Sequence, residues 1–187
     1  MAKFFGNLNA VMVVSLLLAI TLMLGLHPGD VTANSVMRWA HLFFGVLWIG
    51  LVYYLNFVQV PLMPTIPDEL KPAVGKHIAP KVLFYFRWAA LLTVITGLLV
   101  AYLSGYVHQA MTLQVPFTMI GVGMWIALIM AANVWFIIWP NQKKVLGIVE
   151  ASAEQKASAA KAALMASRTN VLLSLPMFYT MVNANHG

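Results

Sequence analysis

The sequence contains no cysteine and only five acidic residues. The absence of cysteine excludes disulfides, thiolate zinc sites, iron–sulfur clusters and haem attached through a C-x-x-C-H motif. A proton-coupled transporter usually needs a carboxylate inside the membrane. All the acids here lie outside the long apolar stretches: Asp30, Asp68, Glu69, Glu150 and Glu154. The sequence therefore argues against that class of transporter. It also lacks a complete catalytic motif, which leaves enzymatic activity open; any such activity would be that of an oxidoreductase component.

Charge is scarce, and apolar residues dominate. Charged residues make up 9% and hydrophobic residues 61% of the chain, whereas a soluble domain carries about 25% charged residues. This composition predicts an all-α integral membrane protein with a single membrane domain over residues 1–187. Four transmembrane helices are expected, and a fifth C-terminal helix is predicted to span as well, with a kink at Pro176. The predicted helices cover residues 8–26, 38–60, 81–104, 116–139 and 143–183.

Lysine and arginine predict the orientation of these helices. Basic residues are enriched on the cytoplasmic side of membrane proteins. The net charge of +6 is therefore interpreted as a sign of membrane orientation, and it does not indicate a nucleic-acid partner. The N-terminal apolar run is too long for a typical signal peptide and is interpreted as a retained helix. A multi-pass protein with a cytoplasmic N-terminus would place nine basic residues on one side: Lys3, Lys71, Lys76, Lys81, Lys143, Lys144, Lys156, Lys161 and Arg168.

Four of the five histidines fall on the opposite, outer side of this topology. His27 ends the first helix, His41 begins the second, His108 lies between the third and fourth, and His186 follows the fifth. Imidazole ligates haem iron, copper and zinc. His41 is the best candidate ligand, whether for haem or for a metal ion, because it lies on a polar stripe of an otherwise apolar helix. That stripe comprises Arg38, His41, Gly45, Trp48, Asn56 and Gln59.

A structural interpretation of these residues stays open beside the functional one. Histidines near lipid headgroups are common, and scattered methionines favour core filling over a copper site. Arg87 is the charged residue inside the third predicted helix. It either extends toward the headgroups or pairs with a haem propionate.

Four segments together resemble the membrane domain of bacterial membrane-bound urate hydroxylases, over about residues 35–186. They are R-W-A-H-L-F-F-G-V-L-W-I-G (38–50), F-R-W-A-A-L-L-T-V-I-T-G (86–97), N-V-W-F-I-I-W-P-N-Q-K-K (133–144) and S-R-T-N-V-L-L-S-L-P-M-F-Y-T-M-V (167–182). In full-length members this domain precedes a cytochrome c domain, which this sequence lacks. More distantly, H-x-x-x-G-x-x-W-x-G from His41 to Gly50 is similar to copper-resistance D proteins and haem-b-dependent membrane protoporphyrinogen oxidases. The latter resemblance implies that His41 is a haem ligand.

Three functions are consistent with these observations. The first is a redox-associated protein of the bacterial inner membrane that binds haem b through His41 and passes electrons to a partner. Its second ligand would be His108, His27 or His186. The second is an accessory subunit without a cofactor, in a larger membrane assembly or a homo-oligomer. The third is copper handling, as the copper-resistance resemblance implies.

Overall fold

The computed structural model describes residues 1–26, 29 and 31–184, and within them the chain forms helices and turns without a strand. The prediction of an all-α fold is thereby confirmed. Five long helices are present: α1 (Leu8–Leu26), α2 (Ala33–Thr65), α3 (Lys71–Leu103), α4 (Thr118–Val145) and α5 (Ala153–Asn183). Two short helices, Ala2–Phe5 and Val107–Met111, complete the described elements.

Within the described residues, four helices are long and apolar enough to cross a membrane, namely α1 to α4. Helix α5 differs from these four because its first half is polar. Its crossing of the membrane therefore stays a prediction. The chain divides into two compact units, Met1–Val36 and Met37–Gly187. A single membrane domain over the whole chain also stays a prediction.

The first unit contains α1, a helix that is apolar on all sides. Its mean hydropathy is 2.3, and none of its residues is buried within the structure. A helix that is hydrophobic all round suits surroundings that are apolar on every side, such as a bilayer. This pattern agrees with the sequence-based assignment of residues 8–26 as a membrane helix.

Helix α2 extends beyond both of its predicted ends, 38 and 60. The prolines at 61 and 64 predict a break in this helix, because proline lacks a backbone N–H group. The helix instead changes its hydrogen-bond pattern, through a π-helical segment (Tyr54–Gln59) and a final 3₁₀ turn (Met63–Thr65). It ends where Ile66 adopts an extended conformation, with φ −77° and ψ 131°, as expected for a residue that precedes a proline.

Two further predicted boundaries also differ from the structure. Pro67 followed by acids at 68 and 69 predicts a separate interfacial helix over residues 68–79. In the structure a continuous helix, α3, begins at Lys71 instead, with a π-helical segment at Val74–Ile78. The predicted helix 143–183 begins only at Ala153, because Gly147 takes a left-handed conformation (φ +72°) after the end of α4. Ser152 and Gln155 form a capping box that starts α5.

The second unit buries its large apolar side chains between α2, α3, α4 and α5. Trp48, Val52, Phe86, Met130 and Val134 are almost completely buried there. Close-packed side chains of this kind fix the relative positions of the four helices. The candidate site described below lies at one edge of this core.

Buried amides join α4 to α5. The Nδ2 atom of Asn133 donates to Asn170 Oδ1 (2.8 Å) and to the carbonyl oxygen of Ala166 (2.7 Å). Asn170 Nδ2 in turn donates to the carbonyl oxygen of Met130 (3.1 Å). Asn170 is 0% exposed, so these bonds satisfy amide groups that would otherwise be costly inside a membrane.

Candidate functional site

His41 lies in the first half of α2 and contacts α3. Its Nδ1 atom is 2.9 Å from the carbonyl oxygen of Thr93. Because a carbonyl oxygen can only accept, Nδ1 is the donor in this bond, and the neutral ring then carries its lone pair on Nε2. Histidines that ligate metals are held in the same way, with the second ring nitrogen donating to a backbone carbonyl or a carboxylate.

Gly97 makes room for the His41 ring. A Cβ atom on residue 97 would lie 2.7 Å from His41 Cε1 and 3.0 Å from Nδ1, which is closer than side-chain atoms approach. The Oγ1 atom of Thr96 lies 3.4 Å from Nδ1. One helical turn of α3, from Thr93 to Gly97, therefore sets both the position and the tautomer of His41.

A cavity of about 220 Å³ opens beside this ring. The polar or charged side chains Arg38, His41 and Tyr106 line it, together with Met124 and Met181. The remaining walls are apolar or weakly polar: Thr93, Val94, Gly97, Leu98, Val100, Ile120, Ala127 and Leu128. The lining thus comes from α2, α3, α4, α5 and the segment before the short helix Val107–Met111.

Tyr106 is placed in the cavity wall by Phe117, with ring centroids 5.2 Å apart and the rings stacked. Burial raises the pKa of the Tyr106 phenol, and the nearby Arg38 guanidinium opposes this shift in part. At neutral pH the phenol therefore stays protonated and can donate a hydrogen bond. Among the described residues, neither an aspartate nor a glutamate lines the cavity, and Arg38 is the charged residue of its lining. A guanidinium favours an anionic group.

Of the predicted histidines that the structure describes, His41 lines the cavity and His108 does not. His108 is exposed on the short helix Val107–Met111 and does not line the cavity. His27 and His186 lie outside the described residues. Within the described part of the chain, no group of three or more His, Asp or Glu side chains is arranged to hold a metal ion.

Arg87 lies elsewhere, against aromatic rings near the end of α4. Its guanidinium carbon is 3.9 Å from the Trp139 ring centroid and 5.4 Å from that of Phe84. Trp135 Nε1 donates to the Arg87 carbonyl oxygen at 3.1 Å. Cation–π contacts of this kind stabilise a guanidinium among apolar groups, and Arg87 is not part of the cavity.

The sequence interpretation missed Tyr106, Met124, Met181 and Gly97 as site residues. The first three come from separate elements, and only the folded chain brings them to His41. The sequence contains a partial indication of Gly97, because the small or weakly polar residues at 93, 96 and 97 predict a close contact between helices. That indication did not show which side chain makes the contact.

The described residues thus form a helical protein with four helices apolar enough to cross a membrane and a mostly apolar cavity lined by His41, Arg38 and Tyr106. A family model described as "Urate oxidase N-terminal" matches residues 107–187. The matched part includes α4, α5 and the methionines of the cavity wall, and it begins after Tyr106. No curated protein and no solved structure matches this chain.

Proposed function

We propose that this protein is a redox module of the bacterial inner membrane, and that it holds a b-type haem on Nε2 of His41. The observation that carries the proposal is the His41–Thr93 hydrogen bond of 2.9 Å, which would leave the Nε2 lone pair available to hold iron. The match of residues 107–187 to a family described as "Urate oxidase N-terminal" supports a redox role for α4 and α5, which pack against the helices that hold His41 and Thr93.

The donor set of the cavity fits a haem. His41 would hold the iron through its imidazole, and Met124 or Met181, which line the same cavity, would offer a thioether, a group that holds haem iron together with histidine in other proteins. Arg38 lies three residues before His41 on the same helix and lines the same cavity. Its guanidinium suits a carboxylate such as a propionate.

The volume of the cavity limits how a haem would be held. About 220 Å³ is less than the roughly 300–1,000 Å³ typical of ligand sites. The partly open side of the cavity would therefore have to receive the rest of the ring, with the flexible side chains of Met124 and Met181 moving aside. A bound haem supplies one-electron redox chemistry, while the chain positions the ligand and excludes water.

A cofactor-free accessory subunit is the second candidate. It is favoured by α1, whose 19 residues are entirely unburied within the structure and could cover a membrane partner or a second copy of this chain. Copper handling is the third, because thioethers favour copper(I) and Met124 and Met181 share the cavity with His41. Metal analysis of the purified protein separates the three: iron as haem, copper, or neither.

Replacing Gly97 with alanine tests whether a haem binds in this cavity. The new Cβ atom would lie 2.7 Å from His41 Cε1, so the ring must turn or move away from Thr93. We expect the haem content of purified G97A to fall about tenfold, in line with the loss of an outer-shell partner of a metal ligand. The haem-to-protein ratio measures this.

Gly50→Ala is the matched control, because nothing lies within 4 Å of a Cβ atom at residue 50. This variant should keep the wild-type haem content. Equal haem contents in G97A and G50A, with both proteins folded, would contradict the placement of haem beside His41.

A further inference from the structure

Helix α2 carries three buried side-chain atoms that have no hydrogen-bond partner in the protein. They are Trp48 Nε1, Asn56 Oδ1 and Gln59 Oε1, and the described residues contain no other buried side-chain nitrogen or oxygen without a partner. Trp48 is 0% and Asn56 1% exposed. Leaving such a group unsatisfied costs about 1–3 kcal/mol, and three on one helix indicate a bound component.

The chemistry of the three atoms indicates water. One atom is a donor and two are acceptors, and water is the small molecule that both accepts and donates. Asn56 has already used its donors, because Nδ2 donates to the carbonyl oxygen of Val52 (2.8 Å) and to Ser167 Oγ (2.7 Å). Its free oxygen therefore requires an outside donor. A metal cation is less well suited, because Trp48 Nε1–H cannot act as its ligand.

Nearby hydroxyl groups extend the polar region between α2 and α5. Tyr53 Oη is 2.9 Å from Ser174 Oγ, and Ser174 is completely buried. Ser167 and Ser174 belong to α5 and bond to Asn56 and Tyr53 on the part of α2 that carries the three unpartnered atoms. At 1.5 Å per residue, Trp48 and Gln59 are about 16 Å apart along the helix, so several water molecules are needed to join them.

We propose that a file of bound water follows α2 from Gln59 to Trp48, and that it gives protons access from that end of the helix toward His41. Trp48 lies seven residues after His41, on the same face of the α-helical part of α2. The file would admit protons to the interior from the membrane face opposite to His41. This inference does not depend on the binding of a haem.

Hydrogen exchange of the Trp48 indole tests the proposal. We would label the full-length protein with ¹⁵N-tryptophan, reconstitute it in lipid nanodiscs, transfer it to D₂O and follow the six indole N–H signals. The Trp48 signal is identified by its loss in Trp48→Phe. We expect this fully buried N–H to exchange within minutes, because water reaches it. A Trp48 signal that persists for a day would show a dry interior and overturn the proposal.

Gln59→Leu tests the entrance of the file. It removes one unpartnered oxygen without breaking a protein hydrogen bond of that atom, and it should slow exchange at Trp48 at least tenfold. Asn141→Leu is the control, since Asn141 is an amide on α4 that bonds only within its own helix, to Ile137. An unchanged Trp48 rate in Q59L would overturn the route through Gln59. Equal slowing in both variants would overturn it too, because the effect would then not be specific to the file.

Discussion

His41→Ala is expected to reduce the haem content of the purified protein to less than about a tenth of the wild-type value. The substitution removes the imidazole whose Nδ1 is fixed by Thr93 at 2.9 Å, and no other histidine among the described residues lines the cavity. Loss of an outer-shell partner alone costs 10–100-fold in metal affinity, so loss of the ligand should cost at least as much. Absorbance at the Soret band, relative to protein, measures the effect.

Two other histidines provide the comparison for His41→Ala. His77 is exposed on the π-helical segment Val74–Ile78 of α3 and does not line the cavity, so H77A should keep its haem. H108A tests the predicted second ligand: a loss as large as that in H41A would assign His108 to the iron, and full retention would favour Met124 or Met181. Wild-type haem content in folded H41A would contradict the site.

Gly121→Ala should lower the thermal unfolding temperature by about 5–10 °C. A Cβ atom at residue 121 would overlap the Ala110 carbonyl oxygen and lie 2.9 Å from its carbonyl carbon. Because these are backbone atoms, the helix Val107–Met111 must move away from α4. Overpacking costs about 1–3 kcal/mol, occasionally more, and 1 kcal/mol corresponds to roughly 2–4 °C in a protein of this size.

Tryptophan fluorescence during heating in detergent measures this effect, and Gly50→Ala again serves as the control. The displaced segment follows Tyr106, which lines the cavity, so G121A should also weaken binding there. An unfolding temperature equal to that of G50A would contradict the close packing of residue 121 against Ala110.

The helices themselves could be predicted from the sequence because each depends on a local pattern. Long apolar runs identify the membrane helices, and His41 stands out as a polar side chain within one of them. The resemblance to urate hydroxylases agrees with the family match over residues 107–187. The more distant link to copper-resistance D proteins has no support from these comparisons.

The π-helical segments could not be predicted from the sequence, because the formation of a π turn depends on tertiary packing. Asn56 illustrates the consequence. It was placed on one face with His41 by assuming 100° per residue, yet it lies in a π-helical segment, Tyr54–Gln59, where that spacing no longer holds. Its amide instead donates to Ser167 on α5.

The polar residues of the last helix show the same limit. An isolated amide is unfavourable inside a membrane, so Asn170, considered from the sequence alone, disfavours placing this helix there. In the structure Asn133 and Asn170 bond to each other at 2.8 Å, so each offsets the cost of the other. They are 37 positions apart in the sequence, and no local pattern pairs them.

The residues that line the cavity are likewise far apart in the sequence. Tyr106, Met124 and Met181 approach His41 only because α4, α5 and the segment before the helix Val107–Met111 meet beside α2 and α3. Methionines at irregular spacing predict core filling. Their spacing does not distinguish the methionines that line a cavity from those that fill the core. The sequence thus identified the central histidine and missed the side chains that surround it.

The absorption spectrum of the protein purified in mild detergent, before and after dithionite reduction, tests the central claim most directly. The account predicts a Soret band that shifts on reduction, with sharp α and β bands, and haem iron close to one per chain in the same sample. A folded protein without a Soret band, purified from cells supplied with haem, would contradict the redox role and favour the accessory-subunit function.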